Sequence, residues 1–305
     1  MDSKHSAIDR SRFQLSSSIK KLSVTEKPKL GFLQGNGEPS LAALQQLGVS
    51  LDIMYSVDTL TIGPGGISPE YKTVVIIAPR DTIPAGYTRH LDNFLAGGGR
   101  LLLALNNVEG DLQTSQGKEI YTGFADWLKE KGIEVENNFL IDINCSNVMV
   151  RQQQGMFVMN TPVSFPYLPI ITNFSDHPIT EGLESVVLPF ASPIRLNPAD
   201  TSLNYIPLAL SSDKSGIQSL PLFFDISRQW VPSDFTLSSI PVAVAVEGAI
   251  VGETNSKMVV FGDGDFAVNG EGQQAQQLQP DNISLMVNAI DWLSDDTGLI
   301  ELRTK

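Results

Sequence analysis

Apolar positions along this chain follow two rhythms. One is the unbroken run. "KTVVIIAPR" (72–80) is a continuous β-branched stretch, the pattern of a strand covered on both faces. "PKLGFLQ" (28–34), opened by Pro28, "RLLLAL" (100–105) and "SKMVVFGDGDF" (256–266) read the same way. "SLDIMYSV" (50–57) alternates like a strand, and "IEVENNFLID" (133–142) predicts a further one. The other rhythm is helical. "PSLAALQQLG" (39–48) predicts a helix with Ser40 as its cap and Gly48 as its stop. In "PAGYTRHLDNFLAGGG" (84–99), Tyr87, Leu91, Phe94 and Leu95 share one face, and Gly97 to Gly99 end it. "GKEIYTGFADWLKEKG" (117–132) places Ile120, Phe124, Trp127 and Leu128 inward. "DNISLMVNAIDWLS" (281–294) does so with Ile283, Met286, Val287, Ile290 and Leu293, with Asp281 placed to cap it. Strand–helix alternation with short links predicts an α/β fold with a doubly wound, mostly parallel sheet.

The pattern changes after residue 145. Residues 146–250 hold most of the prolines and short apolar runs such as "LPIIT", "VVLPFA" and "PVAVAVEGAI", with weak helical periodicity. The chain therefore divides into a polar lead-in (1–26) with a helix through "LSSSIKKLS", a first α/β part (27–145), a β-rich insertion or subdomain (146–250), and a return to the α/β part (251–305). "GPGG" at 63–66 is a loop.

Composition narrows the function classes. The 305 residues carry 34 acidic and 21 basic side chains, a net charge of -13. Such a surface repels a phosphate backbone and an anionic membrane alike, which excludes nucleic acid as a partner. Cys145 is the single cysteine, so there is neither an internal disulfide nor a cysteine zinc site. No apolar run approaches the ~20 residues that span a bilayer. The polar start lacks the apolar core of a signal peptide, and a methionine followed at once by mid-protein-like sequence points to a chain cut from something longer.

The stretch "VVFGDGDFAVNGEG" (259–272) is the first chemical candidate. Gly262, Gly264 and Ala267 fit the dinucleotide-loop spacing, but Asp263 and Asp265 would repel a pyrophosphate, and "VNGEGQQ" after them is loop-like where a helix is needed. Asp263, Asp265 and Asn269 are hard oxygen donors of the kind calcium takes, without the further acidic residues of a helix-loop-helix calcium site. The plainest reading is a strand-end turn in which glycine supplies positive φ and aspartate bonds nearby amides. Strand carboxyl ends are also where open α/β sheets hold ligands. The second candidate is "FLQGNGEPS" (32–40): the amides of Gly35, Asn36 and Gly37 could cradle an anion, whereas Glu38 disfavours phosphate.

Nucleophilic catalysis finds little support. His5 lies in the lead-in, His90 on a helix beside Arg89, and His177 in the turn "SDHPIT". Cys145 has no glycine elbow and reads as a small buried residue, and no G-x-S-x-G occurs.

Four blocks in order, "KPKLGFLQGNGEPS", "VVIIAPRDTIPAGYTRHLDNFLAGGGRLLLAL", "HPITEGLESVVLPFASPI" and "MVVFGDGDF…DNISLMVNAIDWLSDDTGLIELRTK", resemble the extracytoplasmic domain of gliding-motility-associated ABC-transporter auxiliary proteins, the GldG-like group. The resemblance runs from about residue 27 to the end. It implies a membrane-anchored partner of an ABC permease and ATPase, facing the periplasm, with anchoring segments lying outside this chain. It also implies the flavodoxin-like α/β fold of class I glutamine amidotransferases. Those enzymes carry a cysteine on a strand–helix elbow, and "RLLLAL" runs into "NNVEG" with none. Asn36 stands where a "GHGE" histidine is expected in many relatives.

The sequence thus predicts a non-catalytic binding or scaffolding domain without a cofactor, acting through Gly35, Asn36, Gly37, Glu38, Asp263, Asp265 and Asn269 on a protein, peptide or glycan. The rival readings are a hydrolase or amidase with another nucleophile, and a calcium-stabilised structural module.

Overall fold

The computed structural model describes residues 27–154, 157–197 and 202–295. The lead-in helix and His5 lie outside the described residues. Eight strands hydrogen-bond into the largest sheet: β1 (Lys29–Leu33), β2 (Ser56–Leu60), β3 (Tyr71–Ile77), β4 (Arg100–Ala104), β5 (Asn173–Phe174), β6 (Asn204–Leu210), β7 (Pro241–Gly248) and β8 (Ser256–Phe261). Their spatial order is β5-β6-β7-β8-β4-β3-β1-β2. From β8 to β2 every pairing is parallel. From β5 to β8 every pairing is antiparallel. The sheet is therefore mixed: strands from the segment after residue 145 extend it, and β7 turns straight back into β8.

Alternation along the strands sorts side chains between two cores. Val75, Ile77, Leu102, Ala104, Val259 and Phe261 pack with α1 (Gln45–Leu51) and α4 (Pro280–Ser294). Val74, Ile76, Leu101, Leu103, Met258 and Val260 pack with α2 (Tyr87–Ala96) and α3 (Phe124–Lys129). This is why the runs of the central strands are apolar at every position. A third, aromatic cluster joins Phe139, Phe165, Tyr167, Phe224 and Phe235 outside the large sheet. Among the described residues, no helix is long and apolar enough to cross a membrane.

Several local expectations need correction. Gly48 does not stop its helix, which continues to Leu51; a glycine facing open space weakens a helix without ending it. The helix expected over 117–132 is confined to Phe124–Lys129. Residues Gln116–Glu119 pair instead with Val108–Asp111, and Gly123 at φ 89° starts the helix afresh. The strand expected over 133–142 is two, Ile133–Val135 and Asn138–Asp142, which pair with different partners. Asp281 does not cap α4: the chain enters through Gln279 and Pro280, and the Asp281 carboxylate accepts from the amides of Glu184 and Ser185. Ser40 does cap, accepting from the amides of Ala42 and Ala43 at a short 3-10 turn ahead of α1.

Candidate functional site

The turns after β1, β3, β4 and β8 all leave the sheet at its carboxyl end, where open α/β sheets hold their ligands. Strand order reverses between β1 and β3, and there the chain closes on itself. The Asn36 carbonyl accepts from the amides of both Arg80 and Asp81, each at 2.9 Å. Glu38 accepts from the Asn36 amide at 2.7 Å and from its side-chain Nδ2 at 3.1 Å. That Nδ2 also donates to the Tyr87 hydroxyl at 2.9 Å, and burial pushes the Tyr87 phenol up to about 12. The anion that the first turn holds is thus its own Glu38. Gly35 and Gly37 take φ of 117° and 81°, a region that side chains with a Cβ rarely enter. A Cβ on Gly37 would meet the Asp81 amide nitrogen at 3.2 Å.

Arg80 ties this turn to the late aspartates. Its guanidinium pairs with Glu109 and lies 3.7 Å from the Asp265 carboxylate. Lys118 reaches the other Glu109 oxygen at 2.7 Å. Burial disfavours the Glu109 carboxylate, but hydrogen bonds from Lys118 and Arg80 outweigh it and hold Glu109 below its usual range. Burial raises the Asp265 carboxyl, against the pull of Arg80. Beside this network opens a cleft of about 370 Å³ lined by Glu109, Gly110, Asp111, Lys118 and Phe190.

Asp263 plays a different part. It is fully buried, and its Oδ1 accepts from the Asp265 amide at 2.8 Å. Burial first, and the neighbouring Asp265 second, push its carboxyl well above the usual range. Its Oδ2 has no hydrogen-bond partner, and neither have Asn106 Nδ2 and Ser192 Oγ. Asn106 Oδ1 accepts from the Gly264 amide at 2.6 Å, and the Ser192 amide donates to the Gly262 carbonyl at 2.6 Å. All three unpartnered groups therefore flank the 262–264 turn, which is tightly walled. A Cβ on Gly264 would lie 2.7 Å from the Ala104 carbonyl and 2.8 Å from Ala78 Cα. Ala78 itself has a φ of 45°, a strained conformation of the sort that gathers at functional sites.

Asn269 is not joined to the aspartates. Its Oδ1 accepts from the Gln46 amide at 3.0 Å, and its Nδ2 donates to Gln46 Oε1 and the Gln276 carbonyl. It fastens the start of α1 to the loop before α4. Arg80, Glu109, Lys118, Asn106 and Ser192 escaped sequence reasoning. Only Arg80 carried a signal, as the first charge after a buried parallel strand. Among the described residues no group of three or more metal-ligating side chains converges. His177 is buried against the Trp292 ring, and burial lowers it to about 4. Cys145 is half-buried in the Cys145–Gln154 strand, and burial raises its thiol.

A family model described as an ABC-type uncharacterized transport system matches residues 27–294. No curated protein matches the chain. Among solved structures, it is similar to the mmIFT52 N-terminal domain, with 16% identity and a TM-score of 0.56 over 88% of this chain and 98% of that one. That likeness is one of fold. A thua-like protein from Parabacteroides merdae ATCC 43184 aligns at 10% identity and a TM-score of 0.45, over 88% of this chain and 90% of that one. PurLQS from Thermotoga maritima aligns at 8% identity and 0.42, over 88% and 100%.

Proposed function

The chain belongs to the family described as an ABC-type uncharacterized transport system, and we propose that it serves there as a non-catalytic binding or scaffolding domain. The observation that carries this reading is the self-filled crevice between β1 and β3. Glu38 already binds the Asn36 amide at the centre of the glycine turn, and the Asn36 carbonyl, by accepting from the Arg80 and Asp81 amides, closes that turn against the segment after β3. What the rim offers outward is a charged surface in which Gly35, Gly37, Arg80 and Lys118 are exposed and Glu38, Glu109 and Asp265 partly so, with Asn36 buried beneath it. A protein, peptide or glycan can be gripped there by charge-assisted hydrogen bonds. The buried Asp263 and the Asn269 clasp hold that surface in shape from behind.

The α/β part at 27–145 and 251–295 carries the rim, and we read 146–250 as an insertion that widens the sheet. The GldG-like resemblance supports placing the domain on the periplasmic side of a membrane, beside an ABC permease and ATPase in a gliding-motility or export machine. Against amidotransferase chemistry stands the burial-raised thiol of Cys145, in a strand outside the large sheet.

The test is co-purification of the protein with the ABC permease and ATPase subunits of its own source cells, comparing wild type with Arg80→Glu. The variant should keep a cooperative thermal transition and lose most of the bound transporter. Undiminished capture by the variant, or ammonia release from glutamine by the purified protein, would overturn the proposal.

A further inference from the structure

From Ile143 to Ser175 the chain contains one charged residue, Arg151, although 18% of the whole sequence is charged and the net charge is -13. This neutral stretch folds as a long antiparallel ribbon, Cys145–Gln154 against Phe157–Ile171, with cross-strand pairs Val148–Val163, Met149–Pro162 and Val150–Thr161. The inner strand is flanked by both Cys145–Gln154 and Val186–Val187, which leaves Cys145–Gln154 as the outer strand of its sheet. No strand pairs with its far side among the described residues. Asn147, Met149 and Arg151 are exposed along it, and Asn160, paired with Arg151, is exposed on the inner strand.

Natural sheets protect an edge of this length with lysine, proline, a bulge or a covering loop. The strand "CSNVMVRQQQ" has no proline and no lysine, and the irregularity in the ribbon falls between Ser164 and Pro169, near its base. We infer that the open Cys145–Gln154 edge pairs antiparallel with the same edge of a second copy, joining two ribbons into one four-stranded sheet.

Charge selects the second copy as the occupant. Two chains of this net charge repel one another over most of their surfaces, and the ribbon is where that repulsion is absent. Antiparallel self-pairing is isologous, so each edge supplies what the other needs. With the two-fold axis at Val148 or Met149, Arg151 faces Cys145 or Asn147, so no like charges stand opposite each other. Backbone hydrogen bonds supply the attraction, as in other strand additions.

Sedimentation equilibrium of the wild type, Asn147→Lys, Met149→Lys and Asn160→Lys tests this. Lysines on the edge strand place like charges across the two-fold axis, whereas Asn160→Lys adds the same charge on the same ribbon face but on the inner strand. The expected result is a wild-type dimer that becomes a monomer with either edge lysine and persists in Asn160→Lys. A wild-type monomer at every concentration overturns the inference. So does a dimer that survives both edge lysines, which places the contact elsewhere. Equal loss in all three variants also overturns it, since Asn160 lies on the inner strand on the same ribbon face as Asn147 and Met149, and equal loss marks stacking of that face in place of edge pairing.

Discussion

Replacing Asp263 by asparagine should change how stability depends on pH. The carboxyl is fully buried, its Oδ2 is unpartnered, and Asp265 lies two residues on. Unfolded, the group titrates near ~3.9; folded, burial and Asp265 place it well above that. Below the unfolded value the carboxyl is neutral in both states and ionisation has no effect. Between the two values the native state keeps a proton that the unfolded chain has released. Stability then falls as pH rises, by up to about 1.4 kcal/mol per pH unit, and the loss is complete above the folded value. Two pH units inside that window remove about 3 kcal/mol. Asparagine has the same shape, cannot ionise, and offers an N–H where the neutral acid offers its O–H. Urea unfolding of both proteins, from about pH 4 upward, gives a difference in which titrations common to both cancel. The two should begin close together, with the variant gaining on the wild type as pH rises. A difference that stays constant across the range refutes a raised Asp263.

Two further outcomes rest on the same packing. Gly264→Ala forces a methyl against the Ala104 carbonyl and Ala78 Cα and should cost about 1–3 kcal/mol in chemical denaturation, whereas Gly48→Ala, with open space around it inside α1, should stabilise by roughly 0.5–1 kcal/mol. Cys145 should react slowly with iodoacetamide in the folded protein and at the rate of a free thiol in denaturant, because burial raises its pKa and the thiolate is the nucleophile; fast labelling of the native protein would revive a thiol-based mechanism.

The central layer was legible because its signal is strong on both sides of the balance. Runs such as "VVIIA" bury every residue, so they fit only a strand covered on two faces, and the four parallel pairings build on them. The failures came where a local pattern competed with pairing partners far away. Residues Gln116–Glu119 have an acceptable helical face, yet Val108–Asp111 lies within reach and takes them into a hairpin. Asp281 is well placed for a cap, but its carboxylate satisfies two amides of the 184–185 turn instead. Antiparallel widening of the sheet by β5, β6 and β7 was hidden for a similar reason. Short apolar runs separated by prolines announce strands without announcing which sheet they join.

At the rim, sequence located the turns and anticipated that an aspartate there bonds a nearby amide, as Asp263 does, but not which other polar groups are already taken. Spacing brings glycines and carboxylates to strand ends, but it does not show whether an amide faces outward or is already bonded. Glu38 is the clearest instance. As a residue beside an anion-type loop it reads only as a charge that disfavours phosphate; folded, it is the acceptor that the Asn36 amide and side chain hold. Asp263 and Asp265 differ by the same logic. One glycine separates them, yet Asp263 is sealed behind a backbone with no room for a Cβ at Gly264, and Asp265 stays open enough to approach Arg80. A charge at a strand end contacts a partner only if the turn that carries it leaves that charge outside. By that criterion the outward-facing set is Arg80, Glu109, Lys118 and Asp265, which presents both signs of charge side by side.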